Sequence, residues 1–301
     1  MANATLSAID FDPAYARAAR RYFIGRVGVY SFLILFAFIY LLPLFVIVAN
    51  SFRPLPEIIQ NGLIGIPHSL SLKAWGQAWD SYCVSGTCEG MHRNFFNSLE
   101  MTIPATIIST LLGLMNGYIL SKWRFRGSEI LFTCMTFGVF MPGQLSLMPW
   151  AFILGKLGLA NSIGGLILIH CVQGLSFTTL FCRNYYLSIP DDLIKAARID
   201  GAGFWRIFFK IVLPLSPPIL IVTVIWQFTG IWNDYLFGVV FSSGRGQPIT
   251  ASLIGMASGG ISVRVYDVMS AGVLIGAIPP LLIYFFGGKY FVRGLTQGAI
   301  K

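Results

Sequence analysis

An all-α membrane protein with six transmembrane helices is the fold class this chain predicts, on three observations. Hydrophobic residues fill 55% of its 301 positions and charged residues only 11%, against about 25% charged in a soluble protein. Six stretches, 27–52, 101–121, 130–155, 157–182, 211–233 and 268–288, contain no Lys, Arg, Asp or Glu. Each reaches the roughly 20 residues that carry a helix across a ~30 Å hydrocarbon core. They are too long and too uniformly apolar for barrel strands, and lipid admits no other spanning structure. The third observation is charge asymmetry. With the N-terminus inside, Arg17, Arg20, Arg21, Arg26, Lys122, Arg124, Arg126, Arg183, Lys195, Arg198, Arg206, Lys210, Lys289, Arg293 and Lys301 fall on the inner side, fifteen of the 21 basic residues. Arg53, Lys73, Arg93, Lys156, Arg245 and Arg264 fall outside. The positive-inside rule then places both termini in the cytoplasm. The net charge of +9 needs no nucleic acid: anionic headgroups of the lipid bilayer face those residues.

The elements follow in order. Residues 1–27 form a cytoplasmic arm, 28–288 the six-helix membrane domain and 289–301 a cytoplasmic tail. The arm is long and contains acids, and the apolar run behind it exceeds a signal h-region, so the first helix is expected to insert uncleaved. Helix one ends near Asn50. The outer loop 51–94 holds Pro54, Pro56 and Pro67, with Trp75 and Trp79 at a helical spacing that suits the headgroup level. Helix two covers about Asn97–Ser121, and the basic connector Lys122–Glu129 leads to helix three, Ile130–Leu154, kinked by Pro142 and Pro149. A turn with Gly155, Gly158 and Asn161 precedes helix four, Ile163–Cys182. The cytoplasmic loop 183–210 separates it from helix five, about Ile211–Val240, which opens with Pro214, Pro217 and Pro218. The outer loop 242–266 precedes helix six, about Asp267–Gly287. Gly246–Val263 is uncharged, but its Gly, Ser, Thr and Pro248 make it a loop or re-entrant segment and not a seventh span.

Cys134, Cys171 and Cys182 lie in apolar spans and read as small core residues. Cys83 and Cys88 fall outside, where they are either a local disulfide in an oxidising compartment or two free thiols.

The polar stretch Ile194–Pro214 sits between two apolar spans. Asp191 and Asp192 suit a helix N-terminus, and Leu193–Arg198 are strong helix formers. Gly201 ends that helix, and Phe204–Phe209 begin a second one that runs toward Pro214. On physics alone this is either an interfacial amphipathic helix or a docking element for another protein.

Ala196-Ala197, Asp200-Gly201-Ala202, then Ile211 and Leu213-Pro214, resemble the coupling loop of ATP-binding-cassette importer permeases. That pattern reads Glu-Ala-Ala, three residues, Gly, nine residues, Ile-x-Leu-Pro; Lys195 stands here where the family has Glu. Trp232-Asn233-Asp234-Tyr235 is similar to the carbohydrate branch, and the ending Arg293–Lys301 resembles the maltose-type second permease subunit. The run as a whole looks closest to glucose or mannose permeases. The resemblance implies the type I importer permease fold, in the inner membrane of a bacterium. It implies that Lys195, Ala196, Ala197, Asp200, Gly201 and Ala202 contact an ATPase subunit, and that Gly294, Leu295, Thr296 and Gln297 reach the same interface. It implies a second permease subunit, two ATPase copies and an extracytoplasmic sugar-binding protein as partners. Trp232, Asn233, Asp234 and Tyr235 then either line the sugar path or pack and hydrogen-bond between helices; Asp234 and Glu100 lie near outer helix ends.

The chain has no Gly-x-x-x-x-Gly-Lys-Ser/Thr phosphate loop and no His-Glu-x-x-His. Catalytic and metal-ligating residues are therefore expected to be absent, and so is a cofactor of this chain, with ATP and Mg used by the partner ATPase. His68, His92 and His170 are isolated, which argues against a membrane enzyme. Neither inverted repeats nor a line of buried charges marks a self-contained carrier.

Overall fold

A computed structural model describes residues 13–83, 88–258 and 265–299, with side chains over 20–83, 88–257 and 265–288. The described residues are helical or irregular, with no strand among them. The helices are α1 (Pro13–Phe52), α2 (Leu55–Asn61), α3 (Lys73–Gly76, continued by Gln77–Ser81), α4 (His92–Lys122), α5 (Ser128–Phe140) and α6 (Leu147–Leu157). Then come α7 (Ile163–Leu187), α8 (Asp191–Ile199), α9 (Phe204–Ile207, continued through Leu215), α10 (Pro217–Trp232), α11 (Leu236–Phe241), α12 (Ile249–Ser258) and α13 (Tyr266–Ala299). Four helices are long and apolar enough to cross a membrane: α1, α4, α7 and α13. Two bent pairs pass the same test, α5 with 143–157 at 108° and 204–215 with α10 at 76°. The count is six if each bent pair makes one span.

The two bends correct the sequence expectation that each of these spans is one continuous helix. Helix three was expected as one kinked helix over 130–154, but the chain breaks at Met141-Pro142 and restarts at Leu147. Pro142 cannot donate the hydrogen bond that would continue α5, whereas Pro149 sits in the first turn of α6 and costs nothing there. Helix five was expected over 211–240; it begins at Pro217, ends at Trp232 and resumes as α11. Helix four runs five residues past Cys182. Arg183 is tolerated inside α7 because its guanidinium holds both Glu129 carboxylate oxygens at 2.8 Å and stacks on Phe132. Gly246–Val263 carries the ten-residue α12 over its described part, too short to span.

α4 and α7 pack side by side along most of their lengths. Gly113 and Gly117, four apart, bring the backbones together: a Cβ at Gly117 would lie 2.6 Å from the Cβ of Cys182. Small residues at this spacing are how membrane helices approach closely. The seam joins two ends of the bundle. At one end Leu114, Tyr118, Tyr186, Ile194, Ile207 and Phe208 form a core under α8. At the other, Ala74, Ala78, Met91, Trp232, Ile249 and Val268 form a core beneath α3 and α12. There α4 serves the irregular chain before α12. Asn94 and Asn97 donate to the carbonyls of Gln247 and Arg245, and Ser98 Oγ accepts from the Ile249 N–H at 2.8 Å.

Segment 53–69 is folded around Arg53, which is buried and donates to Glu57, Asn50 and the Gly62 carbonyl. The His68 backbone N–H, with Arg53 and Ser69, holds the Glu57 carboxyl below its ordinary value. Cys83 and Cys88 are joined by a disulfide. Trp75 and Trp79 are half-buried against α13 and the start of α4.

Candidate functional site

α8 opens on Asp191 and Asp192 after Pro190 and turns at Gly201, φ 75°. The turn closes on itself. The Gly201 N–H donates to the Arg198 carbonyl at 3.0 Å and the Ala202 N–H to the Ala197 carbonyl at 2.9 Å. This is a Schellman C-cap, which needs a residue at positive φ and so favours glycine. α9 then returns along the same end of the bundle.

The base of this unit is tied down from several sides. Ile194 is 4% exposed in the core beneath it. Lys122, at the end of α4, donates to the Ile189 carbonyl at 2.6 Å and to Asp191 at 2.5 Å. That ammonium hydrogen bond, first among the causes, holds the Asp191 carboxyl below its ordinary value. Arg198 lies over the Trp123 ring at 4.2 Å and donates to the Lys122 carbonyl. Tyr118, Trp123, Phe204 and Phe208 interlock below. Tyr186 bonds Ser216 at 2.7 Å, and Tyr185 donates to the Leu215 carbonyl.

The tip is bare. Ile199 is 86% exposed, with Ala196, Asp200 and Gly201 exposed beside it. Ala197 and Ala202 are half-buried and face the core. Lys195 is exposed and reaches Asp192 at 3.2 Å. Ile199 thus leaves an apolar side chain uncovered on an anchored turn. Sequence reasoning named six neighbours of Ile199 and passed over Ile199 itself, although a lone Ile four residues after Lys195 on a polar helix face is visible in the sequence.

Trp232, Asn233, Asp234 and Tyr235 come together at the break between α10 and α11. Trp232 is 1% exposed; its indole N–H donates to the Gly276 carbonyl of α13 at 2.9 Å. Asn233 and Tyr235 are exposed. Asp234 caps α11, its carboxylate accepting the N–H groups of Phe237 and Gly238, and its own carbonyl accepts the Thr250 hydroxyl. None of the four lines the neighbouring cavity. That cavity, about 380 Å³, is bounded by His170, Gln173, Phe177, Trp226, Gln227 and the broken backbone at Met141–Gly143. Irregular backbone at membrane depth is tolerated where it borders such a space. Phe177 and Trp226 stack at 5.1 Å, and Gln173 donates to Ser146 at 3.0 Å. His170 is buried, and its Nε2 has no hydrogen-bond partner among the described residues, with Asp234 Oδ2 at 3.6 Å. A stacked aromatic pair beside amides presents an apolar face with donors and acceptors. The sequence hid this site because its residues come from three separate segments, 138–143, 170–177 and 226–237. Gly294–Gln297 lie in the last turns of α13, with side chains outside the described residues. No group of three metal-ligating side chains occurs among the described residues.

The chain is 47% identical over 187 residues to a probable ABC transporter permease protein of Pyrococcus horikoshii, covering 62% of this chain and 67% of that one. It is 32% identical to the arabinooligosaccharides transport system permease protein of Halalkalibacterium halodurans, covering 88% and 92%. In fold it matches the crystal structure of a bacterial ABC transporter involved in the import of the acidic polysaccharide alginate, with TM-score 0.76, 22% identity and coverage of 93% and 100%. Residues 105–297 match the family described as binding-protein-dependent transport system inner membrane component, and with its apolar helices the chain belongs to that family as a multi-pass protein of the inner membrane.

Proposed function

We propose that this chain forms half of the path by which a binding-protein-dependent ATP-binding-cassette importer carries a carbohydrate inward. The observation that carries the docking half of this proposal is the α8 unit: tied at its base to the end of α4 through Lys122, seated by Ile194 in the core shared with α4 and α7, and bare at Ile199. In this reading the tip sits on one of two ATPase subunits, which use ATP and Mg; the chain itself holds no cofactor. Closure of the ATPases moves α8, and the anchored base passes that motion to α4 and α7 as a rigid body. Six spans with both termini in the cytoplasm put α8 on the ATPase side, and the uneven basic residues support that orientation. A second permease subunit supplies the other wall of the path. An extracytoplasmic sugar-binding protein delivers cargo near the 242–266 loop, and the 294–297 turn extends the ATPase contact.

The cavity between α5, α7 and α10 supports a carbohydrate cargo: Trp226 and Phe177 offer a stacking face, while Gln173, Gln227 and His170 offer hydrogen bonds. Trp232, Asn233, Asp234 and Tyr235 serve the same path from behind that lining, with Asp234 beside His170. Glucose, mannose or a related carbohydrate is the cargo the sequence resemblance favours, and the named relative of Halalkalibacterium halodurans widens the choice to oligosaccharides.

Reconstitution into liposomes with the second permease, ATPase and binding protein tests this. Labelled glucose or mannose is expected to accumulate only with ATP inside and binding protein outside. Ile199→Asp is expected to lower uptake at least about tenfold while the binding protein's sugar affinity stays unchanged. Uptake that needs no ATP sinks the importer reading; full uptake by Ile199→Asp sinks the docking role of the tip. Calorimetry on the binding protein with glucose, mannose and arabino-oligosaccharides decides the cargo.

A further inference from the structure

Beside α8 lies a cleft of about 470 Å³, walled by Lys122, Trp123 and Arg124 on one side and by Asp191, Lys195 and Arg198 on the other. Residues 191, 195 and 198 stand one turn apart along one face of α8, distinct from the bare Ile199 tip. Four cations here meet one carboxylate, and Asp191 is committed to Lys122. Lys122 spends its buried ammonium on Asp191 and the Ile189 carbonyl. The other three cations keep donors to spare. Among the described residues Lys195 hydrogen-bonds to Asp192, an exposed partner outside the cleft, and acts on Asp191 only through space. Arg198 is held flat by the Trp123 ring and by one bond to the Lys122 carbonyl, leaving most of its five N–H donors unused. Arg124 makes no hydrogen bond among the described residues and acts on Asp191 only through space.

Like charges gathered around a concavity repel unless an anion joins them. A guanidinium already stacked and fixed loses little freedom on binding a planar or tetrahedral oxyanion. Phosphate fits this set better than a carboxylate: it presents oxygens on several sides, and the cations approach from both walls. The lone carboxylate in the lining is neutralised by Lys122 and does not oppose an anion.

We propose that this cleft binds a phosphate group, supplied by an anionic phospholipid headgroup or by a soluble phosphate ester. A bound phosphate bridges the end of α4 to α8 and holds α8 against its base. That last consequence rests on the docking role proposed for α8; the binding itself does not.

The complete importer complex is placed in nanodiscs of phosphatidylcholine, alone or with phosphatidylglycerol. Native mass spectrometry counts retained phosphatidylglycerol. In discs without it, calorimetry reads inorganic phosphate replacing chloride at constant ionic strength. The wild type is expected to retain phosphatidylglycerol or to give a saturable phosphate heat. Arg124→Ala weakens whichever occurs by roughly fivefold. Arg126→Ala, on the same exposed connector but outside the cleft, is expected to match the wild type. Retention of the lipid without a phosphate heat assigns the headgroup source; a phosphate heat in neutral discs assigns the soluble one. The proposal is overturned if neither signal occurs, or if Arg124→Ala and Arg126→Ala behave alike. Since neither readout uses sugar, lost uptake with intact binding counts against the docking reading alone.

Discussion

Two helix breaks, at 200–203 and at 233–235, are closed in different ways. The first is satisfied from within: the N–H groups of Asp200, Gly201 and Ala202 return to carbonyls of α8 itself. The second borrows. The first N–H groups of α11 rest on the Asp234 carboxylate, and the Asp234 carbonyl rests on Thr250 of α12. Beside it stands a buried His170, whose Nε2 lies 3.6 Å from Asp234 Oδ2 and makes no hydrogen bond among the described residues. A self-closed turn on an anchored base moves as a unit, which is what a docking element requires. A break held in part by the side chains of Asp234 and Thr250 can be changed by altering one of them. The α4–α7 seam connects these two kinds of break.

The seam gives the harshest way to break the comparison. Gly117→Leu forces α4 off α7 at Cys182 and is expected to cost about 3 kcal/mol. A melt in detergent should fall, and both ends should loosen together. A melt equal to wild type would mean that the ends are stabilised separately. Next is the anchor of the first break. Lys122 is buried and holds two acceptors, so Lys122→Ala is expected to cost about 2 kcal/mol. Amide hydrogen exchange over 191–202 should quicken while 236–241 stays as it was. If both segments respond, the breaks are coupled and α8 is not an independent unit.

These contrasts show what could be read from the sequence. Gly201 after a run of helix formers announces a C-cap, because only a residue at ease with positive φ closes that turn. Four of the apolar runs announce helices long enough to span, α1, α4, α7 and α13, because length and charge decide those. The Gly113-x-x-x-Gly117 spacing was there to be read as a packing seam and was passed over. Three features were not legible. Pro142 signals a disruption, but not a turn of 108° that sets the broken backbone beside a cavity. Arg183 looks like the first residue of a cytoplasmic loop until Glu129, fifty-four positions away, neutralises it inside α7. Trp226 and Gln173 join only through the packing of α7 against α10. Local chemistry is written in the sequence; the meeting of distant segments is not.

The second break offers a smaller effect. Asp234→Ala removes the cap of α11 and is expected to cost about 1 kcal/mol. Exchange should quicken over 236–241 and leave 191–202 unchanged, the reverse of Lys122→Ala. Asp234→Asn keeps one acceptor and should recover part of the loss. A variant that left α11 protected would show that Thr250 and the packing of Phe237 hold the helix without the carboxylate.

The smallest effect concerns the pH range over which the first break stays anchored. The folded-state value of Asp191 lies below the ordinary 3.8, chiefly through the Lys122 hydrogen bond. A carboxyl whose value is lowered by folding contributes stability above its unfolded value and loses it as pH falls through the folded one. Between about pH 5 and 8 the carboxylate is ionised in both states, so its contribution to anchoring α8 is constant there. Exchange over 191–202, corrected for its intrinsic pH dependence, should therefore stay flat in that range and rise only below about pH 4. Asp191→Asn abolishes the acid step and should show at pH 7 the modestly faster exchange that the wild type reaches in acid. Asp191 is exposed, so screening keeps the difference small and salt should reduce it further. A wild-type rise centred near pH 6 or 7 would count against Asp191 as the titrating anchor and leave Lys122 to hold α8 through the Ile189 carbonyl.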